Sequence, residues 1–163
     1  MNLQPGDILL TRNAGGEAEN PSPGWFNHAA MYVGDGRIVE AQAHVENGKW
    51  SDNPDAPGEV IEADEAEFIE RYPIIRVRRL LNGAKEAAEE ADDMVGLSYK
   101  RISSFLRRQR PDSRGVNCVS VVRRAVTRAT GSDPGWRRPD DINSSRLCAT
   151  TEEKGFTVSG AGC

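Results

Sequence analysis

Apolar positions fall in short runs separated by glycine, proline and polar clusters, and this punctuation divides the chain into elements. Residues 7–11 predict a short strand after the Pro5-Gly6 turn, and residues 12–26 predict a long loop ending in Trp25-Phe26. Residues 28–33 predict a strand, Gly34-Asp35-Gly36 a turn, and residues 37–42 the returning strand. Residues 43–59 are polar and broken by proline and glycine, which predicts loop. A strand over 60–63, a short acidic helix over 64–71 with Phe68 and Ile69 as its apolar part, and a strand over 74–80 follow. Ala84 to Val95 predicts an Ala- and Glu-rich helix stopped by Gly96, and Ile102 to Arg108 a second short helix. The clearest helix runs from Cys118 to Thr130 and ends at Gly131. Beyond it the chain reads as a loop-rich extension with a final strand near Phe156-Thr157-Val158. Strands first and helices later predict an α+β fold, with a mainly antiparallel sheet packed on helices. We expect one domain over residues 1–163, with its core over about 4–130 and an extension over 131–163.

The first hairpin has a testable parity. If Gly34-Asp35-Gly36 is a three-residue loop, Val33 faces Arg37, and His28, Ala30, Tyr32, Ile38, Glu40 and Gln42 share one face. The other face holds Ala29, Met31, Val33, Arg37, Val39 and Ala41, is apolar apart from its end, and reads as the core face. Glu40 then lies diagonally from His28, within reach of its ring, with Gln42 as the fallback partner. A two-residue loop would turn Glu40 to the opposite face. A histidine oriented by a polar partner is the arrangement a general base needs, and a histidine on a half-exposed sheet is the plainer alternative.

Cys118 opens the best helix, behind Asn117 as N-cap. Helix N-termini favour a thiolate, and their free amides favour a developing oxyanion. The alternative is a cysteine packed as a small apolar residue. Cys148 has no clear helix start beside it, and Cys163 is the last residue.

Composition narrows the classes. The net charge is −4 with acidic residues spread along the chain, so no global basic footprint for nucleic acid or an anionic membrane is present. The basic cluster formed by Lys100, Arg101, Arg107, Arg108, Arg110 and Arg114 reads as a solvated face. Three cysteines do not suggest a disulfide framework, and the two histidines with these cysteines lack zinc-site spacing, so neither metal nor cofactor is expected. The first residues carry no basic and apolar leader, and no apolar run reaches bilayer length, which predicts a cytoplasmic protein or one exported by another route.

The order of motifs then becomes informative. Gln4-Pro5-Gly6-Asp7-Ile8-Leu9-Leu10, Asn27-His28-Ala29-Ala30-Met31-Tyr32-Val33-Gly34, Val39-Glu40-Ala41, Gly96-Leu97-Ser98-Tyr99 and Asn117-Cys118-Val119-Ser120 occur in that sequence. The combination resembles the permuted NlpC/P60 superfamily, the papain-like group that includes YiiX/YaeF-like hydrolases and lecithin:retinol acyltransferase-like proteins. The resemblance covers roughly residues 4–130 and implies a circularly permuted papain-like fold, with the nucleophile helix after the histidine strand. It implies Cys118 as nucleophile, His28 as base and Glu40 as the orienting third residue. Trp25, Tyr32, Gln42 and Tyr99 are the candidate substrate-binding residues, Tyr99 from its match to the family's Gly-x-x-Tyr. The implied function is a cysteine peptidase or amidase working through a thioester acyl-enzyme, with a cell-wall peptide or similar amide as first candidate substrate. A lipid ester hydrolase or acyltransferase of the same fold, and a non-catalytic binding module, are the alternatives; oligomeric state is left open.

Overall fold

The structure is a computed structural model that describes residues 1–12, 24–53, 55–99 and 117–155. Among the described residues, eight strands and four helices follow one another: β1 (Asp7–Arg12), β2 (His28–Gly34), β3 (Arg37–Gln42), β4 (Val45–Glu46), β5 (Lys49–Trp50), β6 (Glu59–Asp64), α1 (Glu65–Arg71), β7 (Ile74–Leu80), α2 (Ala84–Asp92), α3 (Cys118–Thr130), α4 (Pro139–Asn143) and β8 (Cys148–Lys154). Six of the strands form one antiparallel sheet in the order β6-β3-β2-β1-β7-β8. The architecture is α+β. The expected helix over 102–108, the basic cluster, the strand near 156–158, Cys163 and most of the 12–26 loop lie outside the described residues.

Strand alternation divides the core between two sheet faces. Ile8, Leu10, Ala29, Met31, Val39 and Val60 pack against α2 and α3, which contribute Ala87, Ala91, Val121, Val122 and Val126. The other face is also apolar, correcting the expectation of a single core face: Leu9, Ala30, Tyr32, Ile38, Ile75 and Val77 lie under Phe68 and Tyr72 of α1 and its C-terminal end.

The β2–β3 hairpin follows the expected register by an unexpected route. Ala30 pairs with Glu40, Met31 with Val39 and Tyr32 with Ile38, as the parity predicts. Gly34, not Val33, pairs with Arg37, so the loop is the two-residue Asp35-Gly36 turn. Both turn residues have positive φ, 54° and 73°, the conformation whose twist suits a tight hairpin. A bulge between Tyr32 and Gly34 absorbs the remaining residue and restores the parity that a two-residue turn alone would reverse.

Three other elements differ from expectation. The 43–59 segment contains the small β4–β5 hairpin, turned by Asn47-Gly48 at φ 52° and 74°. Helix α2 ends at Asp92 rather than Val95, because Asp92 and Asp93 place negative charge at the helix's negative end. Within the described part of the extension, 131–155, two regular elements occur: α4 starts at Pro139, and β8 forms a sheet edge against β7.

The Pro5-Gly6-Asp7 segment joins the layers. Gly6 has φ +90°, and a Cβ there would overlap the Ala84 carbonyl at the start of α2. Buried Asp7 accepts two hydrogen bonds from Arg79 of β7, at 2.7 and 2.6 Å. Gly6→Ala should therefore lower the free energy of unfolding by about 2 kcal/mol or more, through both strained φ and overlap. Urea unfolding checks this, and an unchanged midpoint would contradict the close approach.

Candidate active site

The site lies at one end of the sheet, where β2 begins and β1 and β3 finish. His28 is the first residue of β2, paired with Thr11 of β1, and its side chain is buried. Its Nε2 lies 2.9 Å from Oε2 of Glu40. The bulged register makes this contact possible by placing Glu40 opposite Ala30, one diagonal step from His28 on the same face.

Glu40 has 0% exposure, so its charge must be met by protein groups. Oε1 accepts from Arg71 Nη1 at 2.6 Å. Besides facing His28, Oε2 accepts from Gln42 Nε2 at 2.6 Å and from the Tyr72 hydroxyl at 3.1 Å. Gln42 Nε2 also donates to that hydroxyl at 2.8 Å, which closes the network. Arg71 is the last residue of α1 and Tyr72 its C-cap. The helix is placed at its start by Asp64, which accepts from the Ala66 and Glu67 amides. At its end, Lys154 of β8 donates to the Ile69 carbonyl and, at 3.1 Å, to that of Tyr72.

Cys118 comes from the helical layer. Asn117 caps α3: its Oδ1 accepts from the Ser120 amide at 2.8 Å, while Ser120 Oγ accepts from the Asn117 amide at 2.7 Å. The cap fixes the first turn, and Cys118, partly exposed, hydrogen-bonds with the side chain of His28. With Nε2 committed to Glu40, the ring's Nδ1 is left for the sulfur. The Ala29 and Val119 amides also donate to the sulfur.

These contacts reverse the usual effect of burial. Burial disfavours a charged imidazole, but hydrogen bonds and charge from Cys118 and Glu40 raise His28 from 6.5 to about 9. Burial alone would raise the Cys118 thiol; the hydrogen bond and charge of His28, with the two amides, bring it below its ordinary value. Burial likewise opposes ionisation of Glu40, yet His28 and Arg71 hold its carboxyl below the usual range. Tyr72 is pushed well above its ordinary value by burial and by the neighbouring Glu40, so its hydroxyl keeps the proton it donates. The shifts favour a chain of alternating charge: thiolate, imidazolium, carboxylate, guanidinium.

The structure thus brings together Cys118, His28 and Glu40, and it redistributes the other four residues. Tyr32 lies four residues along β2 from His28, about 13 Å at strand spacing, and its hydroxyl accepts from the Gly36 amide in the turn at 3.1 Å. The Gln42 amide serves Glu40 and Tyr72 behind the histidine. Trp25 remains exposed three residues before His28, with the Arg12 guanidinium 4.2 Å from its ring. Tyr99 is half-buried at the same sheet end, where its amide donates to the Gly58 carbonyl beside the start of β6. Arg71 and Tyr72 went unread. Their one signal was a glutamate on a hairpin face that carries no lysine or arginine, since Arg37 points to the opposite face. Among the described residues, no group of three or more His, Cys, Asp or Glu side chains could hold a metal ion, and no helix is long and apolar enough to cross a membrane.

The two described thiols should behave oppositely. Burial pushes buried Cys148 up to about 11, whereas Cys118 is lowered and partly exposed. Thiolate is the reacting form, so iodoacetamide at pH 7 should label Cys118 and leave Cys148 largely unmodified by peptide mass spectrometry. Equal or preferred labelling of Cys148 would contradict the electrostatics.

No protein-family model and no curated protein matches the chain, so its functional reading rests on these residues and their geometry.

Proposed function

We propose that the protein is a cysteine hydrolase of the circularly permuted papain-like type, acting on an amide carbonyl through Cys118, His28 and Glu40. The observation that carries the reading is a partly exposed cysteine at a capped helix N-terminus, bonded to a histidine whose other nitrogen meets a buried carboxylate. Few structural roles call for all three together.

In the proposed reaction the pair starts as thiolate and imidazolium. The Cys118 sulfur attacks the substrate carbonyl, and the carbonyl π electrons move to oxygen. The Cys118 amide, which at the start of α3 lacks an intrahelical partner, stabilises the oxyanion. As the tetrahedral species collapses, His28 gives its proton to the leaving amine, leaving a Cys118 thioester. His28 then takes a proton from water, the resulting hydroxide adds to the thioester carbonyl, and collapse restores the thiolate and imidazolium. Glu40 holds the ring and stabilises its positive charge throughout. A peptide amide, with cell-wall peptide first, is the proposed substrate class, and Trp25 and Tyr99 are the remaining candidates to line its path.

The test is intact-protein mass after incubation with candidate peptide amides and lipid esters. A covalent acyl adduct on Cys118 from an amide is expected, and no adduct from any substrate, with unreactive Cys118, would overturn the reading. Cys118→Ala should lower turnover by about 10⁴-fold or more, and Glu40→Gln by less, because a neutral amide can still hold the ring. The pH profile follows from the two shifts. Activity rises as Cys118 ionises below its ordinary pKa, and it falls as His28 loses its proton near pH 9. A profile still rising beyond that point would contradict the ion-pair assignment.

A further inference from the structure

The Cys118–His28–Glu40 arrangement does not end at Glu40. The carboxylate has no solvent contact, and among the described residues the side chains that hydrogen-bond it are His28 from β2, Gln42 from β3, and Arg71 and Tyr72 from the end of α1. Gln42 and Tyr72 are neutral donors. Apart from His28, Arg71 is the one cation in this set. Its Nη1 lies 2.6 Å from Oε1, the oxygen that His28 does not use. The Arg71 side chain is 22% exposed, and the Trp50 ring lies 5.5 Å from its guanidinium carbon. Lys154 approaches the same helix end but spends its ammonium on the Ile69 and Tyr72 carbonyls.

We propose that Arg71 is a positioning residue for the Cys118–His28 pair and acts through Glu40. It keeps the buried carboxylate ionised and oriented, and so sustains the imidazolium that stabilises the Cys118 thiolate. The inference rests on the proposed hydrolase dyad and extends it by one charge. Without Arg71, Glu40 has only His28 to balance it inside the protein. The carboxylate then either takes up a proton, removing support from the imidazolium, or leaves a net negative cluster beside the sulfur. Both outcomes make thiolate formation harder. A cation that merely completed the last turn of α1 would affect stability and leave the sulfur's titration unchanged.

The experiment is the pH dependence of iodoacetamide alkylation at Cys118, read by peptide mass spectrometry on the full chain. Arg71→Met should move the acid limb upward by about one pH unit, so alkylation on that limb slows about tenfold. Arg71→Lys should recover most of the shift because it restores a cation beside Oε1. In a Glu40→Gln background, adding Arg71→Met should produce no further shift, since the carboxylate it acts through is gone. If Arg71→Met alone does not fold, Arg71→Gln, which keeps a donor toward Oε1 but not the charge, is read in its place. An unchanged limb in folded Arg71→Met, or an equal shift in the Glu40→Gln background, overturns the proposal and leaves the dyad standing. Wild-type Cys118 titrating like an ordinary thiol overturns both.

Discussion

A fully buried carboxylate is the constraint around which this site is built. Glu40 has no water to solvate it, so the fold must deliver donors to both oxygens at once. His28 and Gln42 come from the central strands, Arg71 and Tyr72 from the end of α1, and each lies in hydrogen-bonding range. Losing a donor would leave part of the charge uncompensated, which ties the hairpin register to the placement of α1. The bulge next to Val33 thus has a function beyond the turn: it keeps Glu40 on the histidine's face.

The two sides of the sheet contribute different parts of the chemistry. The α1 side holds the imidazole and its counter-charge in a closed environment. The α3 side brings a sulfur that remains partly exposed and so can meet a substrate. They join at the start of β2, where the Cys118 sulfur meets His28 and the Ala29 amide. The C-terminal segment takes part as well. β8 extends the sheet edge, and its last residue, Lys154, holds the helix end that carries Arg71 and Tyr72.

Much of this was legible in the residues, and the failures have physical reasons. Alternation along 28–33 and 37–42 revealed which side chains share a face, and Asn117 and Gly131 marked both ends of α3. Face membership does not give position along a strand, which is why the alternation could not tell that Tyr32, on the histidine's face, lies at the turn end. Arg71 could not be found because a buried carboxylate announces its need for a cation without saying which of the 21 Lys and Arg side chains meets it. β8 was invisible because Cys148-Ala-Thr-Thr-Glu-Glu-Lys lies mostly exposed along an edge, where no apolar alternation is imposed. The resemblance to permuted papain-like hydrolases rested on motif order and, besides indicating Cys118, His28 and Glu40, pointed to the segment near Tyr99; it said nothing of the network behind Glu40.

The central claim is that His28 carries its proton at neutral pH because it sits between a thiolate and a buried carboxylate. Its most direct test is an NMR pH titration of the His28 imidazole in the wild-type protein and in Cys118→Ala. The account predicts an imidazolium at pH 7 in the wild type that loses its proton near pH 9, and a lower midpoint once the sulfur is removed. A His28 ring that titrates near 6.5 in both proteins would contradict it.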